Sequence, residues 1–208
     1  MSSKAVGTII VLGSWSSGTT AVTGYLARLG AYTCPPTIRT NDPRTPDSQE
    51  SKVFRDALAS LVDEFTLKQR TDDQAAFRRW FPDWLAEQKQ QAADAACSHV
   101  ILKHPLSAFF IGDLAELADP TFVVVTRPFE AIEHTRQRRK WHPGYGQAGA
   151  KVIYQTIFTK VTNADIDVLS ISFDRFRADP TMGERLHAWV GMDPPAHTVE
   201  AALAWVRG

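Results

Sequence analysis

The sequence predicts an α/β fold of three layers, a central parallel sheet flanked by helices, with a helical insert. Three observations carry this expectation. Four short runs, VGTIIVLG from Val6, SHVILKH from Ser98, TFVVVTR from Thr121 and DVLSISF from Asp167, are rich in apolar and β-branched residues, as strands buried on both faces are. Each is followed by a segment with apolar residues at helical spacing, the alternation from which parallel sheets are built. A glycine-bounded, hydroxyl-rich turn, GSWSSG from Gly13 to Gly18, joins the first strand to its helix.

Taken in order, the first strand leads through that turn to TTAVTGYLARLG, a helix ended by Gly30. PPTIRTNDPRTPDSQE, Pro35 to Glu50, reads as a proline-rich polar loop, and helical patterns follow over Ser51–Lys68 and Asp72–Ala96. These form the helical insert, about residues 48–96. Within it Phe77, Trp80, Phe81, Trp84 and Leu85 cluster, either packing on the core or forming a lid over a second substrate. The strand at Ser98–His104 is paired with a helix over Ser107–Ala118, and the strand at Thr121–Arg127 with a helix over Phe129–Lys140. After the strand at Asp167–Phe173 come TMGERLHAWVGM and PPAHTVEAALAWVRG, two helices, the first with a Thr181-to-Glu184 capping box.

At 208 residues and 44% hydrophobic content, the chain has apolar material for one core, so one domain is expected over 1–208. Lysine plus arginine equals aspartate plus glutamate, 23 each, so net charge recruits neither nucleic acid nor an anionic membrane. Any positive site must be local. Cys34 and Cys97 lie in no metal-binding or redox spacing, as expected of ordinary thiols in a reducing compartment. The N-terminal apolar run, Val6 to Leu12, is too short to span a bilayer and lacks a signal-peptide pattern. A cytoplasmic protein without a membrane span is expected.

The loop VLGSWSSGTT spaces Gly13 and Gly18 as in the nucleotide-binding pattern GxxxxGK[ST], making the fold P-loop-type, but Thr19 takes the lysine position and the loop has no cation. Its backbone N–H groups, the helix N-terminus and the hydroxyls of Ser14, Ser16, Ser17, Thr19 and Thr20 still form a cradle for phosphate. An ordinary ATPase also needs Mg²⁺ held by an acid at another strand end. Here two such strands end in Lys103-His104 and Thr126-Arg127, and only Asp174 adjoins the last one. Ligands of parallel sheets bind at the carboxyl ends of strands, so these cations become neighbours of the loop. Cations in place of a metal's carboxylate suit metal-free transfer from an anionic donor.

At these residues the chain resembles the sulfotransferases that use 3′-phosphoadenosine 5′-phosphosulfate, PAPS, particularly bacterial ones whose loop reads GMHRSGTS. Ser14, Trp15, Ser16, Ser17, Gly18, Thr19 and Thr20 fall on the family's phosphosulfate loop. VVVTRPFEAIEHTRQRR resembles its 3′-phosphate segment, with Arg127, Thr135, Arg138 and Arg139 in the binding places. ILKHP and SISFDRFRADP resemble two further segments, so the likeness covers most of the chain. It implies PAPS as donor, adenosine 3′,5′-bisphosphate as product, no metal requirement, and a small-molecule or carbohydrate acceptor sulfated at a hydroxyl or amine.

Two departures stand out. Pro128 comes one residue early, and Ser16 replaces the lysine or arginine that normally precedes SGT[TS]. Either another cation takes over, with Lys103 the preferred substitute, or the enzyme is slow, or nucleotide binding persists without transfer. His104 or Glu50 is the candidate base; His99, His134, His142, His187 and His197 are expected to be structural or exposed. Arg136, Arg138, Arg139 and Lys140 serve equally as a solvated basic face. Trp141 and Tyr145, like the insert's tryptophans, are candidates to stack on an acceptor ring or to belong to the core. A divergent nucleotide kinase using ATP and Mg²⁺ is the alternative enzyme, and a nucleotide-binding protein without turnover the non-enzymatic one.

Overall fold

The computed structural model describes residues 5–43, 45–71 and 74–208. In chain order the elements are β1 (Gly7–Leu12), α1 (Thr19–Arg28), β2 (Ala31–Tyr32), β3 (Thr37–Arg39), β4 (Asp47–Ser51), α2 (Lys52–Leu61), α3 (Ala75–Asp94), β5 (His99–Lys103) and α4 (Ile111–Ala118). Then come β6 (Thr121–Thr126), α5 (Phe129–Arg139), α6 (Gln147–Asn163), β7 (Val168–Ser172), α7 (Phe173–Ala178), α8 (Thr181–Trp189) and α9 (Ala196–Arg207).

Five strands form the central sheet in the order β2-β5-β1-β6-β7, and every neighbouring pair is parallel. Val11 of β1 pairs with Lys103 of β5 on one side and Val123 of β6 on the other. That register brings the glycine loop, Lys103-His104 and Arg127 to one end of the sheet.

Alternation along the strands explains why they read as continuously apolar. Ile10, Leu12, Val100, Leu102, Phe122 and Val124 share a core with residues of α2, α3, α4 and α6. Ile9, Val11, Ile101, Val123 and Val125 share another with α1, α7, α8 and α9. Helices cover both faces of β1, β5 and β6, but β7, at the sheet edge, is only half-buried with Ser170 exposed, unlike the doubly covered strand expected there. This is the three-layer α/β architecture the pattern predicted.

The structure differs from expectation in several places. The polar segment Pro35–Glu50 is not a plain loop. It contains most of an antiparallel hairpin in which Thr37 pairs with Ser51 and Arg39 with Asp47; Arg44, within its connection, lies outside the described residues. α2 stops at Leu61, where the chain turns on Asp63, whose Oδ1 accepts from the amides of Phe65 and Thr66 and from the Thr66 hydroxyl. The expected start of the next helix at Asp72 lies outside the described residues, and α3 begins at Ala75.

The helix expected from Ser107 begins as a 3₁₀ turn, Pro105–Phe110, because His104 Nδ1 accepts from the Leu106 amide and caps it. α6 was not expected. At Thr181 no capping box forms: Asp179 Oδ1, two residues earlier, accepts from both the amide and hydroxyl of Thr181. The aromatic cluster of α3 is core: Phe77, Phe81, Trp84 and Leu85 are buried, Trp80 packs against them, and Trp84 stacks on Phe54 of α2 at 5.9 Å.

Candidate functional site

The glycine loop is held in shape from beneath. Gly13 has φ +155°, and a Cβ there would stand 2.8 Å from the Val125 carbonyl oxygen and from Ser17 Oγ. Ser17 Oγ donates to the Ser14 carbonyl at 2.7 Å, and both serines are buried. Gly18, at φ +96°, starts α1, and a Cβ there would enter the Phe173 ring. Tyr154 of α6 donates to the Val125 carbonyl at 3.0 Å, bracing the same corner. Ser14 and Ser17 thus support the loop, while Trp15, Ser16, Gly18, Thr19 and Thr20 line a cavity of about 1540 Å³.

Lys103, at the end of β5, is only 3% exposed. Its Nζ donates to Glu50 Oε1 at 2.7 Å, to the Ser48 carbonyl at 2.8 Å and to Thr20 Oγ1 at 3.2 Å. The ammonium therefore sits against the first turn of α1, and β4 is what carries Glu50 to it. Lys103, Glu50 and the loop, distant in sequence, form one wall.

On the other side, Arg127 donates from Nη1 to the Ser16 carbonyl at 3.2 Å and to Thr135 Oγ1 at 3.0 Å. Thr135 in turn donates to the Ala131 carbonyl at 3.0 Å, so its hydroxyl is oriented as an acceptor toward the guanidinium. Arg127 Nε makes no hydrogen bond but lies 3.7 Å from Asp174 Oδ1 as an ion pair, while Ser16 Oγ is buried without a hydrogen-bond partner. Ser16 itself has φ +63°. Arg138 and Arg139, from the last turn of α5, reach the same cavity and meet Asp42 and Thr45 of the β3–β4 connection. Arg136 turns away to Glu133 and the Trp141 carbonyl.

His104 is 2% exposed and has both ring nitrogens engaged. Because Nδ1 accepts from the Leu106 amide, the ring proton is assigned to Nε2, which faces Glu64 Oε1 at 3.3 Å. Arg55 clamps the same carboxylate, Nε to Oε1 at 3.1 Å and Nη2 to Oε2 at 2.5 Å. Burial would raise the Glu64 pKa, but the hydrogen bonds from His104 and Arg55 outweigh it and hold the group below its ordinary value. Tyr145 stacks on Phe65 at 5.6 Å and packs at a tilt against Trp15 at 4.5 Å. Burial, helped by the charge of Glu64, pushes its hydroxyl up to about 12.

All of the expected site residues except Ser14 and Ser17 line the one cavity. Trp141 and Tyr145 line it too; Trp80 and Trp84 do not. Eight lysines and arginines stand in its described walls against three acids, Asp42, Glu50 and Glu64, so a chain of zero net charge concentrates positive charge there. Among the described residues no group of three or more His, Cys, Asp or Glu is placed to hold a metal ion, and no helix is long and apolar enough to cross a membrane. Sequence reasoning missed Asp42, Arg55 and Glu64. Their partners lie 96, 9 and 40 positions away, and no spacing rule links them.

No family model matches the sequence, and no curated protein matches it. Among solved structures, the chain is similar to the sulfotransferase STF1 of Mycobacterium tuberculosis, with a TM-score of 0.53 and 15% identity over 97% of this chain and 72% of that one. It is also similar to the sulfotransferase STF9 of Mycobacterium avium, with a TM-score of 0.54 and 14% identity over 98% and 68% of the two chains. The chain has a sulfotransferase-like fold.

Proposed function

We propose that the protein is a PAPS-dependent sulfotransferase of the bacterial type, moving a sulfuryl group to a hydroxyl or amine of a small-molecule or carbohydrate acceptor in the cytoplasm. The observation that carries this reading is the divided cation arrangement: Lys103 on Thr20 at one flank of the glycine loop, and Arg127 on the Ser16 carbonyl and Thr135 at the other. The residues fit an anionic nucleotide. Ser16 Oγ is a buried polar atom without a hydrogen-bond partner beside a cavity rich in cations.

Such a donor supplies an activated sulfate on a phosphate leaving group. The loop, Trp15 through Thr20, with the first turn of α1 behind it, binds the 5′ side, and Lys103 neutralises charge growing on the bridging oxygen. Arg127, Thr135, Arg138 and Arg139 hold the 3′-phosphate. Glu50 is the better placed of the two candidate bases: Oε1 is bound by Lys103, leaving Oε2 for an acceptor hydroxyl. His104 would first have to give up the Leu106 amide or Glu64.

A second reading, nucleotide binding without turnover, is favoured by one observation. Lys103 already has three hydrogen-bond partners, and Ser16 supplies no cation to relieve it. Incubation with ³⁵S-labelled PAPS and a panel of phenols, sugars and amines separates the two. Label transfer that is lost in Glu50→Gln supports the enzyme. Bound nucleotide with no transfer to any acceptor supports the binding protein.

A further inference from the structure

A carboxylate stands among the cations of the proposed 3′-phosphate site. The Asp42 side chain is only 5% exposed, and its Oδ2 lies 2.9 Å from Arg138 Nη2 and 2.6 Å from Arg139 Nε. Arg139 grips the same connection a second time, through Nη2 to Thr45 Oγ1 at 2.7 Å. The turn that presents Asp42 is itself built. The Thr40 amide donates to the Pro46 carbonyl at 2.9 Å, the Thr45 amide to the Asp42 carbonyl at 3.0 Å, and the Asp42 amide to Thr40 Oγ1 at 3.1 Å.

Two adjacent arginines facing one cavity repel each other, and an anion between them relieves that repulsion. A phosphate recognised by Arg138 and Arg139 needs the Arg138 N–H that Asp42 now occupies and the Arg139 charge that Asp42 now pairs with. Both anions cannot hold them at once. Arg138 and Arg139 hold the hairpin connection through polar contacts of the kind a dianion replaces.

We propose that Asp42 is a built-in anion that occupies the phosphate subsite of Arg138 and Arg139 and is displaced by a ligand's phosphate. It therefore sets how strongly the protein distinguishes nucleotides that carry this phosphate from those that lack it. The inference rests on the reading of Arg127, Thr135, Arg138 and Arg139 as a 3′-phosphate site. A nucleotide without the 3′-phosphate leaves Asp42 in place.

Calorimetry of wild type and Asp42→Asn with adenosine 3′,5′-bisphosphate and with adenosine 5′-monophosphate tests this. The variant is expected to bind the bisphosphate about tenfold or more tightly than wild type, the scale of one charged hydrogen bond, with monophosphate affinity unchanged. Unchanged or weaker bisphosphate binding, or an equal gain for both nucleotides, overturns the inference. If wild type binds the bisphosphate and the variant gains nothing, the functional reading stands and the inference falls. If neither protein binds it, both fall. Should Asp42→Asn fail to fold, hydrogen exchange at the Asp42 and Thr45 amides of wild type decides: faster exchange with bisphosphate but not monophosphate supports displacement, and slower or unchanged exchange overturns it.

Discussion

Ser16 stands in the glycine loop with its hydroxyl buried and unbonded and its carbonyl held by Arg127. The backbone there is already left-handed, at φ +63°, so an arginine adds no conformational strain that serine does not already bear. Ser16→Arg should fold normally and bind adenosine 3′,5′-bisphosphate about tenfold more tightly, the worth of roughly 1.5 kcal/mol for one charged hydrogen bond; calorimetry checks both affinity and folded fraction. Gly18 allows no such freedom. At φ +96°, with the Phe173 ring where a Cβ would go, Gly18→Ala should cost about 1–3 kcal/mol of stability and weaken nucleotide binding, measured by urea denaturation and titration. These glycines and hydroxyls were legible in the sequence because the loop's chemistry is local. Asp42 and Glu64 were not, because what makes them matter is a partner brought close only by folding.

At the scale of elements, the buried strands were legible because β1, β5 and β6 are covered on both faces and their apolar pattern has no interruptions. β3 and β4 were not: they are short, polar and form a two-stranded ribbon outside the main sheet. Yet β4 is what delivers Glu50 to Lys103. α6 places Ala150, Ile153, Tyr154, Ile157 and Val161 on its buried side at helical spacing, but interspersed Val152, Thr156, Phe158 and Thr159 blur that period with strand-favouring residues. Its Tyr154 hydroxyl serves the Val125 carbonyl under the glycine loop. Tyr154→Phe should therefore cost about 1 kcal/mol, read as a shift in denaturation midpoint.

The turn after α2 carries a pH dependence. Glu64 is held below its ordinary value of 4.5 in the folded protein, so its ionised form contributes stability above the unfolded-state pKa. That contribution is lost as pH falls through the lower folded value. Wild type should lose melting temperature from about pH 5 downward more steeply than Glu64→Gln; parallel curves would show that Glu64 is not the group responsible.

The whole molecule balances its charges and then distributes them unevenly. With 23 basic and 23 acidic residues overall, it gathers eight of the former and three of the latter in the described walls of one cavity at the carboxyl end of the sheet. The position of that cavity was legible from the strand order rule for parallel sheets; its charge was not, because composition reports only the sum. An anionic nucleotide should bind less tightly as salt rises, by screening of the kind that acts over about 10 Å at 0.1 M ionic strength. The most direct measurement is a thermal-shift titration of wild type with adenosine 3′,5′-bisphosphate without metal, set against ATP with Mg²⁺ and buffer alone. A ligand that binds only the folded state raises its melting temperature. The bisphosphate should give a concentration-dependent rise that is abolished in Arg127→Ala. No rise with the bisphosphate, or a larger one with ATP and Mg²⁺, would contradict the proposed function.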